Sequence, residues 1–467
     1  MQLFSKSTPI KNKFTKEKTI ISLLMKTKSL FLFLIVLFTG TWYLPAQQID
    51  RVKLDSLLNL LADKNKAMGS LAILEDGKVA YAYAIGYVQL NPEKVASNDR
   101  TKYRIGSISK MFTATLIFQL IDEGKLQLST TLDKYYPEIP NADKITIGNM
   151  LSHRSGIFSF TDDSSYLKWS GEPKTHEDII KMTAEKKSQF EPGTKTVYSN
   201  SNFVLLGYII EDICAKPYNA VLQSRICSRI GLQDTYYGGK TDVIKNESYS
   251  FRYVTSWEQV PETDMSIPHG AGALVSTPSD LVKFIAALFQ GKLVSEVSLN
   301  HMKTIIENNL GMGMMQFPYN DKTVYGHGGA IDGFNSMLCY FPDEKLAVSY
   351  ISNGTVYSVN DIVLRTINIC FNKPDALPVF QTFDLKPEDL NQYLGVYSST
   401  QIPIKITFTR VNDNLMGQGS GQPSFPLSPF AKDVFKFEQA GITITFDQVK
   451  KTFLLEQGGG KFTFTKE

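Results

Sequence analysis

The sequence predicts an α+β protein that ends in a small antiparallel β-barrel. An early strand pair and a later run of three antiparallel strands stand among apolar helices. After Asn372–Pro378 the pattern changes to short alternating strands. The chain has 467 residues, enough for one large domain and one smaller one.

The elements follow in order. Leu54, Leu57, Leu58 and Leu61 keep helical spacing within 49–66. Ser70–Leu74 and Val79–Tyr87 flank Asp76-Gly77, a hairpin signal. An apolar helix over 108–121 closes at Asp122-Glu123-Gly124, with Gly124 as C-cap. Ile145–Leu151 leads into the tight polar loop Ser152–Gly156, and the polar region to about Lys187 is expected to surround a cleft. Glu191-Pro192-Gly193 is a turn, and an apolar helix runs from about Asn202 to Ile213. Pro268–Gly272 reads as flexible. Ser276–Asp280 supplies a cap, a first-turn Pro and an acid for a helix that ends at Gly291. Strands are expected over 324–330, 335–341 and 346–352, and a helix over 360–370. Beyond a linker at 373–384, Ile404, Ile406 and Phe408 alternate, as do Ile442, Ile444 and Phe446, then Phe462 and Phe464. This marks residues 385–467 as the barrel, a unit of roughly 80 residues.

Hydrophobic residues make up 43% and charged residues 20%, the balance of a chain that buries a core. The formal charge is +3, but the first 46 residues carry seven Lys and one Glu. The remainder is therefore at −3, which gives no reason to expect a nucleic-acid partner. Lys26 and Lys28 precede the apolar run Leu30–Phe38, and Leu44-Pro45-Ala46 offers a cleavage site. Residues 1–46 thus read as a signal peptide, with Met25 an alternative start. The apolar run is short for a membrane span. An exported protein, periplasmic or extracellular, without stable membrane insertion after cleavage is expected. Cys214, Cys227, Cys339 and Cys370 are scattered, with no zinc spacing, and read as reduced, buried thiols. The five histidines contain no His-Glu-x-x-His, so neither a metal nor another cofactor is expected. The pattern leaves the oligomeric state open.

The chemistry concentrates at Ser107-Ile108-Ser109-Lys110, where a buried helix begins. Serine needs a proton acceptor to attack a carbonyl near neutral pH, and Lys110 is one turn along the same face. Burial lowers an amine's pKa toward the useful range. The same spacing recurs at Ser165 and Lys168, in a polar stretch without a buried helix behind it. Tyr198-Ser199-Asn200 precedes another apolar helix; read alone it is an ordinary cap, while in a cleft it offers a phenol and an amide. His327-Gly328-Gly329 is followed by Ala330; the glycines leave a strand edge bare for a substrate backbone. Alone, His327 is a hydrogen-bonded strand histidine.

In this order and these contexts the three motifs resemble those of class C β-lactamase-like serine hydrolases, a family of β-lactamases, penicillin-binding carboxypeptidases, D-amino-acid peptidases and esterases. Leu151–Gly156 and Ser276–Leu281 are also similar to that family. The resemblance covers about Ile49–Cys370, within a domain expected over 47–372. It implies a central antiparallel sheet flanked by helices, beside a helical lobe, with the serine at the base of the cleft. It implies Ser107 as the acylated nucleophile, with Lys110 and Tyr198 sharing proton transfer and Asn200, His327, Gly328 and Gly329 contacting substrate. The N–H groups of Ser107 and Ala330 would form the oxyanion hole. β-Lactamases of this class usually carry Lys-Thr-Gly where this chain has His-Gly-Gly. A histidine is only partly charged near neutral pH. The expectation is therefore an exported hydrolase of small esters, D-amino-acid amides or peptides. The alternatives are a β-lactamase, or a penicillin-binding or sensor protein that acylates with little turnover.

Overall fold

The computed structural model describes residues 49–467, Thr255, Gln381, Thr382, Pro423 and Gly458 excepted. The expected signal peptide, residues 1–46, lies outside the described residues. One six-stranded antiparallel sheet organises the larger part. Its strands are β1 (Ala67–Glu75), β2 (Lys78–Ile85), β3 (Met315–Tyr319), β4 (Lys322–Ile331), β5 (Phe334–Phe341) and β6 (Leu346–Thr355). They lie in the order β3-β4-β5-β6-β1-β2, so the N-terminal hairpin docks on β6. Asp76 and Gly77 both take positive φ, 48° and 80°, as the hairpin's two-residue turn requires. Strand β3 was not expected; Pro318 and its mixed residues hide the alternation.

Helices cover both faces. Among the helices of the sheet faces and of the lobe beside them are α1 (Arg51–Asp63), α2 (Ser109–Asp122), α3 (His176–Ala184), α4 (Asn200–Cys214), α5 (His269–Gly272), α6 (Pro278–Phe289) and α7 (Val359–Cys370). The strand period of two decides the faces. Leu71, Ile73, Val348 and Tyr350 pack with Leu54, Leu57 and Leu58 of α1 and Ile362 of α7. Ala72, Leu74, Ala347 and Ile351 join the opposite core, with Phe112 of α2 and Phe284 of α6. Those two phenyl rings stack at 3.7 Å. Each contributes about 1.5–3 kcal/mol by burial. α2 and α4 run through the helical lobe, buried from Ser109 to Leu120 and from Ser201 to Ile210.

Eight strands close into the C-terminal barrel: β7 (Gly395–Ser398), β8 (Lys405–Val411), β9 (Asn414–Gly419), β10 (Phe425–Ala431), β11 (Val434–Phe437), β12 (Ile442–Asp447), β13 (Thr452–Gln457) and β14 (Gly460–Lys466). Tyr397, Ile406, Phe408, Phe435, Ile444, Phe446, Phe453 and Phe464 fill it and form a core of their own. Lys66 pairs with Glu438 across to the larger part at 2.7 Å. Cys214, Cys227 and Cys339 are free thiols, the last two buried. Among the described residues no helix is long and apolar enough to cross a membrane.

Candidate active site

Ser107 sits in a 3₁₀ turn, Gly106–Ile108, that feeds directly into α2. The expected first α-turn is thus tighter than an α-helix, and Gly106 makes that possible with φ +52°. Lys110, in the first turn of α2, is fully buried. Its Nζ lies 2.9 Å from Ser107 Oγ and donates to Asn200 Oδ1 and to the Ala271 carbonyl, both at 2.8 Å. Burial holds the Lys110 pKa well below the usual lysine range.

Asn200 opens α4. Its Nδ2 donates to Thr161 Oγ1 at 2.9 Å, and its backbone N–H to Ser159 Oγ at 3.1 Å. The amide is therefore oriented with its oxygen toward Lys110. One N–H of its NH₂ is committed to Thr161, which leaves the other for a substrate. The Tyr198 ring centroid is 4.9 Å from Lys110 Nζ. Burial pushes its phenol above the ordinary value, and a hydrogen bond with Ser107 partly offsets this. His153 stacks on Tyr198 with centroids 4.3 Å apart, and its Nδ1 accepts the Ser199 N–H at 3.1 Å.

The His327 ring lies 6.4 Å from that of Tyr198 and is buried. Its Nδ1 pairs with the Gly328 carbonyl. A carbonyl only accepts, so Nδ1 carries the proton and Nε2 is left as an acceptor. Burial first, then the nearby Lys110 charge, brings the His327 pKa down to about 4. The expected partial charge near neutral pH is thus corrected: His327 is neutral there.

Strand β3 pairs with β4 only as far as Gly326, so among the described residues the β4 edge beyond has no strand neighbour on that side. The turn bearing Ser107 occupies part of it. A Cβ on Gly329 would meet the Ile105 carbonyl oxygen at 2.1 Å. The expected bare edge is therefore partly covered by the chain itself. Among the described residues, a cavity of about 790 Å³ is lined by Ser107, Asn200 and Ala330, but not by His327, Gly328 or Gly329. Phe160, Tyr166 and Lys168, from the polar region expected around the cleft, form part of its wall. Ser165 itself bonds Asp163 Oδ1 at 2.7 Å, as in a local turn.

A family model described as Beta-lactamase matches residues 58–367. The chain belongs to the beta-lactamase family. Penicillin-binding protein 4* of Bacillus subtilis (strain 168) is 25% identical over 89% of this chain and 98% of its own length. The teichoic acid D-alanine hydrolase of Staphylococcus aureus is 25% identical over 53% of this chain and 59% of its own. The D-amino acid amidase of Ochrobactrum anthropi SV3 superposes with a TM-score of 0.61, at 27% identity, over 68% of this chain and 99% of its own. The octameric penicillin-binding protein homologue from Pyrococcus abyssi shares the fold, with a TM-score of 0.62 at 23% identity, over 89% of this chain and all of its own. Family membership and the named activities of these relatives support serine hydrolase activity.

Several residues of this beta-lactamase-family site have no local sequence signal. Ala271 lies in Pro268–Gly272, which was expected to be flexible and is instead a buried one-turn helix. Arg104, 3% exposed, donates to Asp332 Oδ2 at 2.9 Å, Glu262 Oε1 at 2.8 Å and the Thr263 carbonyl at 2.8 Å. Glu262, Thr263 and Asp332 all line the cavity.

Proposed function

We propose that this protein is an exported serine hydrolase that forms an acyl-enzyme on Ser107, with D-amino-acid amides, peptides or small esters as substrates. One observation carries the reading: a buried lysine nitrogen held between two carbonyls and the Ser107 hydroxyl. A neutral amine has two N–H groups and one lone pair. The carbonyls of Asn200 and Ala271 accept the two hydrogens, so the lone pair is left for the Ser107 O–H. Lys110 then takes that proton as Ser107 attacks the substrate carbonyl. The N–H groups of Ser107 and Ala330 receive the oxyanion. Tyr198, held as a phenol, relays the proton from Lys110 to the leaving amine or alkoxide. Water completes the cycle by hydrolysing the ester. Environments that push two pKa values apart divide the roles, Lys110 as base and Tyr198 as donor.

The cavity wall bears on the substrate. Glu172, Glu262 and Asp332 line it with Lys168, and Arg104 sits behind two of these carboxylates. A neutral His327 adds no cation for a β-lactam carboxylate. A substrate with a free ammonium, as in an amino-acid amide, suits this wall better. Turnover of D-alanine p-nitroanilide, p-nitrophenyl acetate and nitrocefin tests the reading. The amide and the ester should be hydrolysed with a higher kcat/KM than nitrocefin. Preference for nitrocefin would favour the β-lactamase alternative, and acylation without turnover the penicillin-binding one.

A further inference from the structure

Away from Ser107, three separate segments bring His176, Glu211 and His269 together. His176 begins α3, Glu211 is on α4 and His269 begins α5. The ligand atoms of the three lie within 4.8 Å of one another. His176 Nε2 is 3.4 Å and His269 Nε2 3.6 Å from Glu211 Oε2. Charge-assisted N–H···O bonds close to about 2.7–2.9 Å, so both nitrogens stand back from the carboxylate. Ligand atoms around tetrahedral zinc stand about 3.3 Å apart, given bonds near 2.0–2.1 Å.

We propose that His176, Glu211 and His269 bind one zinc ion, through Nε2, Oε2 and Nε2, with water completing the tetrahedron. Two imidazoles and a carboxylate are a donor set that zinc and its first-row neighbours favour. The surroundings fix each ligand. The His176 ring stacks on Tyr208 at 3.7 Å. The His269 ring is boxed by Tyr208, Tyr218 and Tyr237 at 4.7, 5.2 and 5.4 Å. Gly207 lies one helical turn before Glu211, and a Cβ there would stand 2.4 Å from His269 Nδ1. The glycine therefore lets the imidazole lie on α4 with Nε2 directed at Glu211. The other carboxylate oxygen, Oε1, accepts the Tyr218 N–H at 2.6 Å, an outer contact of the kind that orients a metal-binding carboxylate. The His176 side chain is 49% exposed, which gives the ion a route in.

The ion would tie three segments of the lobe together. The helix that His269 begins also supplies the Ala271 carbonyl to Lys110 and the Gly270 carbonyl to Thr113. Zinc would therefore brace the floor of the catalytic site without touching substrate. No linear motif announces the site, because its ligands are spread from residue 176 to residue 269.

Cobalt(II) titrated into the full chain after dialysis against chelator tests this, read by its visible absorption. The expected result is one cobalt per chain with an intense tetrahedral spectrum, displaced by one equivalent of zinc, and a zinc-dependent rise in Tm. His176→Ala changes a half-exposed side chain. It should weaken binding by more than the roughly 10–100-fold typical of outer-shell losses and abolish the Tm rise. Glu211→Gln should do the same. No saturable cobalt binding by the wild type would overturn the proposal, as would binding that His176→Ala leaves unchanged.

Discussion

Gly106 and Ala330 meet backbone to backbone: a Cβ on Gly106 would stand 2.8 Å from the Ala330 nitrogen. This contact seats the turn that carries Ser107 on the open edge of β4. It brings the two proposed oxyanion donors to one wall of the cavity. Gly106→Ala adds that Cβ at a φ of +52°, where a side chain is also strained. The substitution should lower kcat by about 10²–10³-fold, the scale of a lost oxyanion donor, with a smaller change in KM. Steady-state kinetics on p-nitrophenyl acetate would show it; a wild-type kcat would detach the oxyanion hole from this contact.

Lys110→Ala and Tyr198→Phe should each slow acylation by about 10²–10⁴-fold. If Lys110 acts as the neutral amine, as proposed above, wild-type kcat/KM should fall as pH drops through its lowered pKa. The Tyr198→Phe variant should keep that acidic limb, because the base is still present. A Tyr198→Phe profile without the limb would transfer the base role to tyrosine.

The buried His327 also makes acid stability testable. Its pKa is about 4 in the folded chain and near 6.5 when unfolded. Between those values the unfolded state binds more protons, so stability falls as pH falls from about 6.5 to 4. The loss from this group is on the order of 3 kcal/mol, complete below the folded pKa. His153, also lowered by burial, adds to the same slope. Urea melts at pH 7.0, 5.5 and 4.5 should show wild type losing more stability than His327→Gln. Equal losses would mean that His327 is not held neutral.

The barrel should be separable. Its aromatic core is distinct from the two cores of the sheet. Truncation after Pro378 keeps Asp375, which pairs with Arg365 of α7. The shortened chain should stay soluble and hydrolyse a small ester at a near wild-type rate. An insoluble or inactive product would show that the barrel completes the larger fold.

What was legible in the sequence was local. Ser107 and Lys110 are one turn apart where α2 begins, and Tyr198 and Asn200 are two residues apart where α4 begins, so spacing alone pairs them. The barrel was legible because inward positions such as Ile442, Ile444 and Phe446 keep a period of two. Ala271 was not, because a backbone carbonyl has no sequence signature. The glycines around it suggested freedom, yet Gly270 serves close packing: a Cβ there would meet the Phe203 carbonyl oxygen at 2.5 Å. The Arg104–Asp332–Glu262 network and the His176–Glu211–His269 cluster were equally hidden. Their members lie far apart in the chain, and only the tertiary fold joins them.

The proposed chemistry stands or falls with acylation of Ser107. Mass spectrometry of the protein quenched in acid during turnover, or after a fluorophosphonate, tests it most directly. One adduct per chain is expected, mapped by peptide digestion to Ser107 and absent from Ser107→Ala. An adduct at Ser165, or turnover that survives in Ser107→Ala, would contradict it.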